Sequence, residues 1–361
     1  MALVRFAARD PGGANGLAGF LTRHAPKLNF DLWTLPKATA VFERAGFVGR
    51  EFPEDFTKET VVAAWQRLVP GKLVTGTSHY AAFEPLLWQL AREQGCPSLA
   101  VNDSWANLAP RFQWGKPDWV GAVDAGQIAE LMKLGFGREQ IIETGHPWLA
   151  LLLERRQAIL SEPLPARPGP GVRVLFISES IASDVAQGVN APFGFDEFDA
   201  FALVYQAAFA VGTPDFPVEL AIKFHPYEDP APFLARLQKL PRKAGLRVVP
   251  LERQAQPHPW VRWADLVTGI SSMLMLEAIV LDRPVLSVQP GLRREDTFIG
   301  SRRGFAELLT EPALALPRLQ TLLANPEARR LTIQRNRKFL ETIPRDPFGR
   351  ILDWILGPST G

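Results

Sequence analysis

The sequence predicts an α/β protein made of two Rossmann-like domains facing across a cleft, each built on a mainly parallel sheet. Three observations carry this. Short apolar runs alternate with longer amphipathic runs along the whole chain, which is the rhythm of βαβ units. The rhythm breaks once, at residues 161–171, where four prolines and two glycines make a poor helix or strand and a good linker. At 361 residues, the chain is too long for one ordinary core and suits two.

The elements follow in order. Residues 3–8 read as a buried strand, followed by a glycine-rich turn and a helix from about Asn15. Residues 30–35 read as a strand, 38–45 and 60–68 as helices, 72–75 as a strand and 83–93 as a helix. Strands at 98–102 and 119–123, a helix at 127–134, and a strand at 141–144 leading into a helix from Pro147 complete the first half. After the linker come strands at 172–178, 218–224, 246–251, 266–269 and 285–288. Helices at 196–211, 232–240, 258–263 and 273–281 lie between them. Helices near 317–323, 327–340 and 348–356 close the chain. The strands are continuous apolar runs, as expected of sheets covered on both faces.

Composition narrows the class. Hydrophobic residues make up 47% and charged residues 22%, an ordinary globular balance. Forty basic against 38 acidic residues give a net charge of +2 with no long basic run, so a nucleic-acid partner is not expected. Cys96 is the single cysteine, which rules out an intramolecular disulfide and suits a reducing, cytoplasmic setting. No stretch of about 18 apolar residues suggests a transmembrane helix. The first residues do not read as a signal peptide.

Ligands of open parallel sheets bind beyond the carboxyl ends of the strands, so the residues just after strands matter most. Asp10-Pro11-Gly12-Gly13 follows the first strand. Its glycines would let backbone N–H groups approach an anion, although a tight turn explains them equally. Thr75-Gly76-Thr77-Ser78-His79 offers His79 as a general base or as a surface histidine. Asn102-Asp103-Ser104-Trp105 offers Asp103 as a base and Trp105 as a sugar platform, or else an Asx turn over a core tryptophan. Arg111 behind it would bind an anion or be solvated. Thr144-Gly145-His146-Pro147 reads chiefly as a structural turn.

In the second half, a strand ends at Lys223-Phe224-His225-Pro226. His225 would meet a diphosphate at the sheet edge or else be a capped core histidine, and Lys223, two residues earlier, would point the same way. Gly269-Ile270-Ser271-Ser272 opens a helix whose hydroxyls and free N–H groups suit a phosphate, with Glu277 one to two turns further in. A helix cap alone would also explain the serines. Gln289-Pro290-Gly291 and the charged residues after it read as a surface loop.

The strand-His-Pro element at His225 and the Gly-x-Ser-Ser-x-x-x-x-Glu-Ala element at 269–278, followed by Arg283-Pro284-Val285, resemble the donor half of GT-B glycosyltransferases. Most similar are bacterial surface-polysaccharide enzymes, teichoic-acid glycerophosphotransferases and UDP-N-acetylglucosamine 2-epimerases. The resemblance implies an acceptor domain over residues 1–160, a linker at 161–171 and a nucleotide-donor domain over 172–340. A last helix within 341–361 would cross back to the first domain. It implies that His225 contacts the donor diphosphate, that Ser271 and Ser272 hold its phosphates, that Glu277 binds the ribose, and that Gly12 and Gly13 shape the facing pocket. The expected reaction is transfer of a sugar or related group from a nucleotide-activated donor to a hydroxyl of a sugar, glycan or lipid-linked glycan. Asp103 or His79 would act as base. Membrane contact, if any, would be peripheral. The epimerases' Gly-Thr-Arg-Pro-Glu loop is replaced by Arg9-Asp10-Pro11-Gly12-Gly13, and their Ser-Gly-Gly by Ser271-Ser272. Those departures put transfer ahead of epimerisation or donor hydrolysis, and an enzyme ahead of a non-catalytic nucleotide-sugar binder. No Asp-x-Asp motif is well placed after a strand, so neither a metal nor another cofactor is expected.

Overall fold

The structure, a computed structural model, describes residues 3–67, 69–79, 81–165, 171–188, 191–226 and 228–357. The chain divides into two compact units, Met1–Glu154 with Thr342–Gly361, and Arg155–Glu341. The division falls within the helix Pro147–Ser161. Residues 166–170 of the expected linker lie outside the described residues.

The first unit holds seven parallel strands: β1 (Leu3–Ala8), β2 (Asn29–Thr34), β3 (Arg50–Glu51), β4 (Lys72–Thr75), β5 (Ser98–Val101), β6 (Trp119–Ala122) and β7 (Ile141–Glu143). Their order is β3-β2-β1-β4-β5-β6-β7. The order reverses between β1 and β4, so the chain leaves these neighbouring strands toward opposite faces and opens a crevice at their carboxyl ends. The second unit repeats the plan with β8 (Val172–Ile177), β9 (Val218–Lys223), β10 (Leu246–Pro250), β11 (Leu266–Gly269), β12 (Val285–Val288) and β13 (Glu307–Leu309). Its order is β10-β9-β8-β11-β12-β13, and the reversal falls between β8 and β11. Both sheets are parallel throughout, as the apolar strand pattern requires.

Each sheet is covered on both faces. In the first unit, Phe6, Leu17 and Phe20 pack with Phe348 and Ile351 on one side. Trp33, Trp65, Phe83 and Trp88 fill the other. In the second, Phe176, Phe201 and Val204 anchor one core, and Trp263, Met275 and Ile279 are buried opposite. Two short edge strands, β3 and β13, escape the sequence pattern because two or three residues carry no periodicity. The helix Pro312–Ala324 begins five residues before the expected 317 and contains Pro317. As the sixth residue of the helix, Pro317 forfeits the bond to the Ala313 carbonyl and crowds it, which is why the sequence suggested a later start.

The first helix is another difference. It starts at Pro11 rather than near Asn15, which puts Gly12 and Gly13 inside its first turn. Proline at the first helical position has the φ a helix needs and no N–H to leave unpaired.

The helix Pro347–Leu356 belongs to the first unit. Phe348 lies 6.4 Å from Phe20, centroid to centroid. Lys72, at the start of β4 and buried, donates from Nζ to the carbonyls of Trp354 at 2.8 Å and Gly357 at 2.7 Å. These are carbonyls that the end of a helix leaves without partners. Lys72→Met keeps the apolar stem and removes the donor. We expect it to destabilise the first unit by about 1–3 kcal/mol and to expose the last helix to protease. Thermal unfolding and limited proteolysis would check this.

Candidate functional site

At the first unit's reversal, the turns after β1 and β4 come into contact. A Cβ on Gly13 would lie 2.9 Å from Cα of Gly76, and a Cβ on Gly12 would overlap the Asp103 carboxylate. Close backbone approach therefore demands glycine at position 13, while a side chain at position 12 would have to push the Asp103 carboxylate aside. Asp103 follows β5. Its Oδ1 accepts from Arg111 Nη1 at 2.8 Å and from the Thr77 hydroxyl at 3.4 Å. Arg111 also donates to the Thr77 carbonyl at 2.7 Å. The Asp103 carbonyl accepts from His146 Nε2 at 2.9 Å, while His146 Nδ1 accepts from the Leu149 N–H at 3.3 Å. That pairing places the imidazole proton on Nε2. His146 is thus a buried strut for the Asp103 loop.

Trp105 is buried, stacked 5.2 Å from His146, and donates to Asp124. The structure corrects its reading as an exposed sugar platform. His79 is half-buried. Burial, helped by Arg111, pushes its imidazole down to about 4. At neutral pH it is an uncharged and weak base.

The sequence reading missed Glu84, which is 1% exposed. Its Oε1 accepts from the Ser78 hydroxyl at 2.6 Å and from the Arg9 N–H at 3.0 Å, tying the turn after β4 to the turn after β1. Its Oε2 is buried with no partner. Burial lifts this carboxyl to about 7, with Asp10 adding to the lift and the Ser78 bond opposing it. The available signal was a carboxylate inside the apolar run Phe83-Glu84-Pro85-Leu86-Leu87-Trp88.

In the second unit, the reversal between β8 and β11 is bridged by Glu179. One carboxylate oxygen accepts from the Ser271 N–H at 2.5 Å and the other from the Ser271 hydroxyl at 2.9 Å. Burial raises the pKa of Glu179. Ser272 caps the helix Met273–Val280, its hydroxyl accepting from the Leu274 N–H at 3.3 Å. At the place where the sequence suggested a phosphate, the Ser271 N–H and hydroxyl are engaged by a carboxylate of the chain itself.

His225 emerges at the carboxyl edge after β9, and burial lowers its pKa. Its N–H donates to Glu228 Oε2 at 3.0 Å, and Glu228 Oε1 accepts from the Ser178 hydroxyl at 2.7 Å. Glu228 is buried and, like Glu84, is pushed up to about 7, mainly by desolvation. Lys223 does not join His225 at the edge. Its buried ammonium donates to the carbonyls of Phe224 at 2.9 Å and Arg253 at 2.6 Å. Strand alternation stops at Lys223, the last residue of β9, so spacing no longer fixes which way the next side chains point. Glu277 is held by His258, Nε2 to Oε2 at 2.7 Å. Among the described residues, no group of three or more His, Cys, Asp or Glu could hold a metal ion. No helix among them is long and apolar enough to cross a membrane.

Comparison with known proteins leads to the same fold. No family model matches the chain, and no curated protein does. Solved structures match along its full length. A Staphylococcus aureus MnaA–UDP co-structure superposes with a TM-score of 0.70 at 10% identity, covering 98% of this chain and 96% of that one. The UDP-GlcNAc 2-epimerase of Neisseria meningitidis bound to UDP-GlcNAc gives 0.68 at 12% identity, covering 99% and 100%. MurG of Acinetobacter baumannii gives 0.59 at 12% identity, covering 98% and 99%. The chain has the GT-B fold.

The raised carboxyls set a pH dependence. A carboxyl lifted above its ordinary value near 4.5 favours the folded state while protonated. The stability it gives is lost as pH rises from that value through about 7. Glu84 and Glu228 would each cost on the order of 2–3 kcal/mol at alkaline pH. We expect the melting temperature to fall between pH 6 and pH 8, and Glu84→Gln to reduce that fall for the first unit. Melting curves across this range would check it.

Proposed function

We propose that this GT-B chain is an enzyme acting on a nucleotide-diphosphate sugar, and that it transfers the sugar to a hydroxyl acceptor. The observation that carries the nucleotide part is the turn at Ser271. Its N–H and hydroxyl converge on the two oxygens of one anion, at the reversal point of the second sheet and at the head of a helix. The donor's phosphates would displace the Glu179 carboxylate there. His225, mostly uncharged at neutral pH, would donate a hydrogen bond to the departing diphosphate. Glu277, oriented by His258, would take the ribose hydroxyls.

A carboxylate of the first unit removes the acceptor's proton. The acceptor oxygen bonds to the anomeric carbon, and the bond from that carbon to the diphosphate oxygen breaks with its electron pair leaving on the nucleotide. Asp10, after β1, and Asp103, after β5, are two carboxylates at the carboxyl edge of that sheet beside its point of reversal. His79, near 4, is a poor base for an acceptor hydroxyl.

A second reading, epimerisation at C2 of the sugar, is favoured by the similar solved structures that are UDP-GlcNAc 2-epimerases. The two readings separate cleanly. Incubated in D2O with UDP-N-acetylglucosamine and no acceptor, an epimerase incorporates deuterium at C2 and a transferase does not.

Binding is tested with UDP, CDP, GDP and dTDP in a thermal-shift screen. One nucleotide should stabilise the wild type, with the shift growing as the logarithm of its excess over Kd. His225→Ala and Ser272→Ala should weaken that response by roughly tenfold in Kd, the cost of about one charge-assisted hydrogen bond. Glu179→Gln should strengthen it. No response to any nucleotide, or equal responses in all variants, would remove the proposed donor site.

A further inference from the structure

Asp10 caps the helix Pro11–His24 by position, yet its side chain makes no capping bond. A capping aspartate ordinarily spends an oxygen on the N–H groups of the first turn. Here the first turn runs Pro11-Gly12-Gly13, Asp103 lies over Gly12, and the Asp10 carboxylate turns to Arg9 at 3.1 Å and to the Ser78 hydroxyl. The same hydroxyl donates to Glu84 at 2.6 Å. Ser78 therefore stands between two carboxyl groups: Asp10, whose side chain is 29% exposed at the sheet edge, and Glu84, sealed in the core. One oxygen of Glu84 is buried and has no partner, an expensive arrangement for a carboxylate and a tolerable one for a carboxyl that takes up a proton.

We propose that Asp10 is the group that exchanges a proton with the sugar hydroxyl, and that Glu84, reached through Ser78, is a positioning residue that takes up that proton. This rests on the transfer reading above and names its base. The step balances. The acceptor O–H bond breaks and its proton goes to Asp10. Ser78 passes its own proton to Glu84 and receives the one on Asp10. The hydroxyl is regenerated, Asp10 is again a carboxylate, and Glu84 is neutral.

The surroundings support Asp10 over the alternatives. Burial raises the Asp10 pKa, and the Asp103 charge adds to this. Arg9, Arg111 and the Ser78 bond oppose it. Arg9 is shared with Glu54 at 3.5 Å, which dilutes its pull on Asp10. Asp103, by contrast, is committed at Oδ1 to Arg111 and Thr77.

The test measures UDP release from UDP-glucose and from UDP-N-acetylglucosamine, with water as acceptor, between pH 4.5 and 9. UDP binding by each variant serves as the check on folding. Asp10→Asn should lower the rate about a hundredfold or more while UDP still binds. Glu84→Gln, which cannot take up a proton, should slow turnover and remove the limb of the profile at about pH 7 where Glu84 ionises. Ser78→Ala should slow turnover, and Ser78→Thr, which keeps the hydroxyl, should restore it. Alongside, the Glu84 side-chain carboxyl should titrate by 13C NMR at lower pH in Asp10→Asn and at higher pH in Ser78→Ala. Full activity in Asp10→Asn with loss in Asp103→Asn would overturn the role of Asp10. A limb that persists in Glu84→Gln and an unmoved Glu84 titration would overturn the role of Glu84. If wild type binds none of UDP, CDP, GDP and dTDP and releases no nucleotide from their glucose and N-acetylglucosamine conjugates, the transfer reading falls and takes the catalytic role of Asp10 with it. The NMR titration then still decides whether the two carboxyls share a proton through Ser78.

Discussion

The structure depends on how each sheet closes the gap where its strand order reverses. Two neighbouring parallel strands there send their chains to opposite faces, and the backbone N–H groups just past their carboxyl ends have no ladder to join. Each unit answers with a glutamate. Glu84 binds the Arg9 N–H after β1 and the Ser78 hydroxyl after β4. Glu179, itself after β8, binds the N–H and hydroxyl of Ser271 after β11. The residues differ in origin, one from a helix and one from a turn, but each satisfies one backbone N–H and one serine hydroxyl at the point where a ligand of this fold would bind.

That solution has an electrostatic consequence. A carboxylate drawn out of water to serve buried donors becomes harder to ionise, and Glu84, Glu179 and Glu228 are all shifted upward for that reason. The edges of both sheets are thereby supplied with carboxyl groups that change charge closer to neutrality than ordinary ones. In the first unit this favours proton exchange. In the second it softens the repulsion that a cluster of acids would otherwise present to an anion.

The strands were legible in the sequence because a sheet covered on both faces leaves continuous apolar runs, and β1, β4, β11 and β12 begin and end where those runs do. The glycines after β1 were legible as a ligand loop or a tight turn, but not as part of a helix packed against Gly76 and Asp103, since those neighbours follow β4 and β5. The glutamates were not legible. Their roles depend on which strands become neighbours, and β1 meets β4 across roughly 70 residues of chain. His225 and Ser271 could be located from strand ends alone. The partners that engage them, Glu228 and Glu179, could not.

Glu179 also bears on why a phosphate seat would be filled by the chain's own carboxylate. An open seat at the head of the helix Met273–Val280 would leave the Ser271 N–H and hydroxyl partly desolvated and unpaired, a cost of about 1–3 kcal/mol for each group. The carboxylate removes that cost in the empty protein and returns it as competition when a ligand arrives. On the proposed function, a diphosphate would bring more acceptor oxygens and more charge than one carboxylate and so would displace Glu179, whereas a monoanion offering one or two oxygens would gain little over what it displaces. The arrangement would then select by charge and oxygen count at the seat itself, before any contact with the base or sugar. Discrimination of this kind comes from the interaction that a poor ligand must break, rather than from an added attraction to the right one.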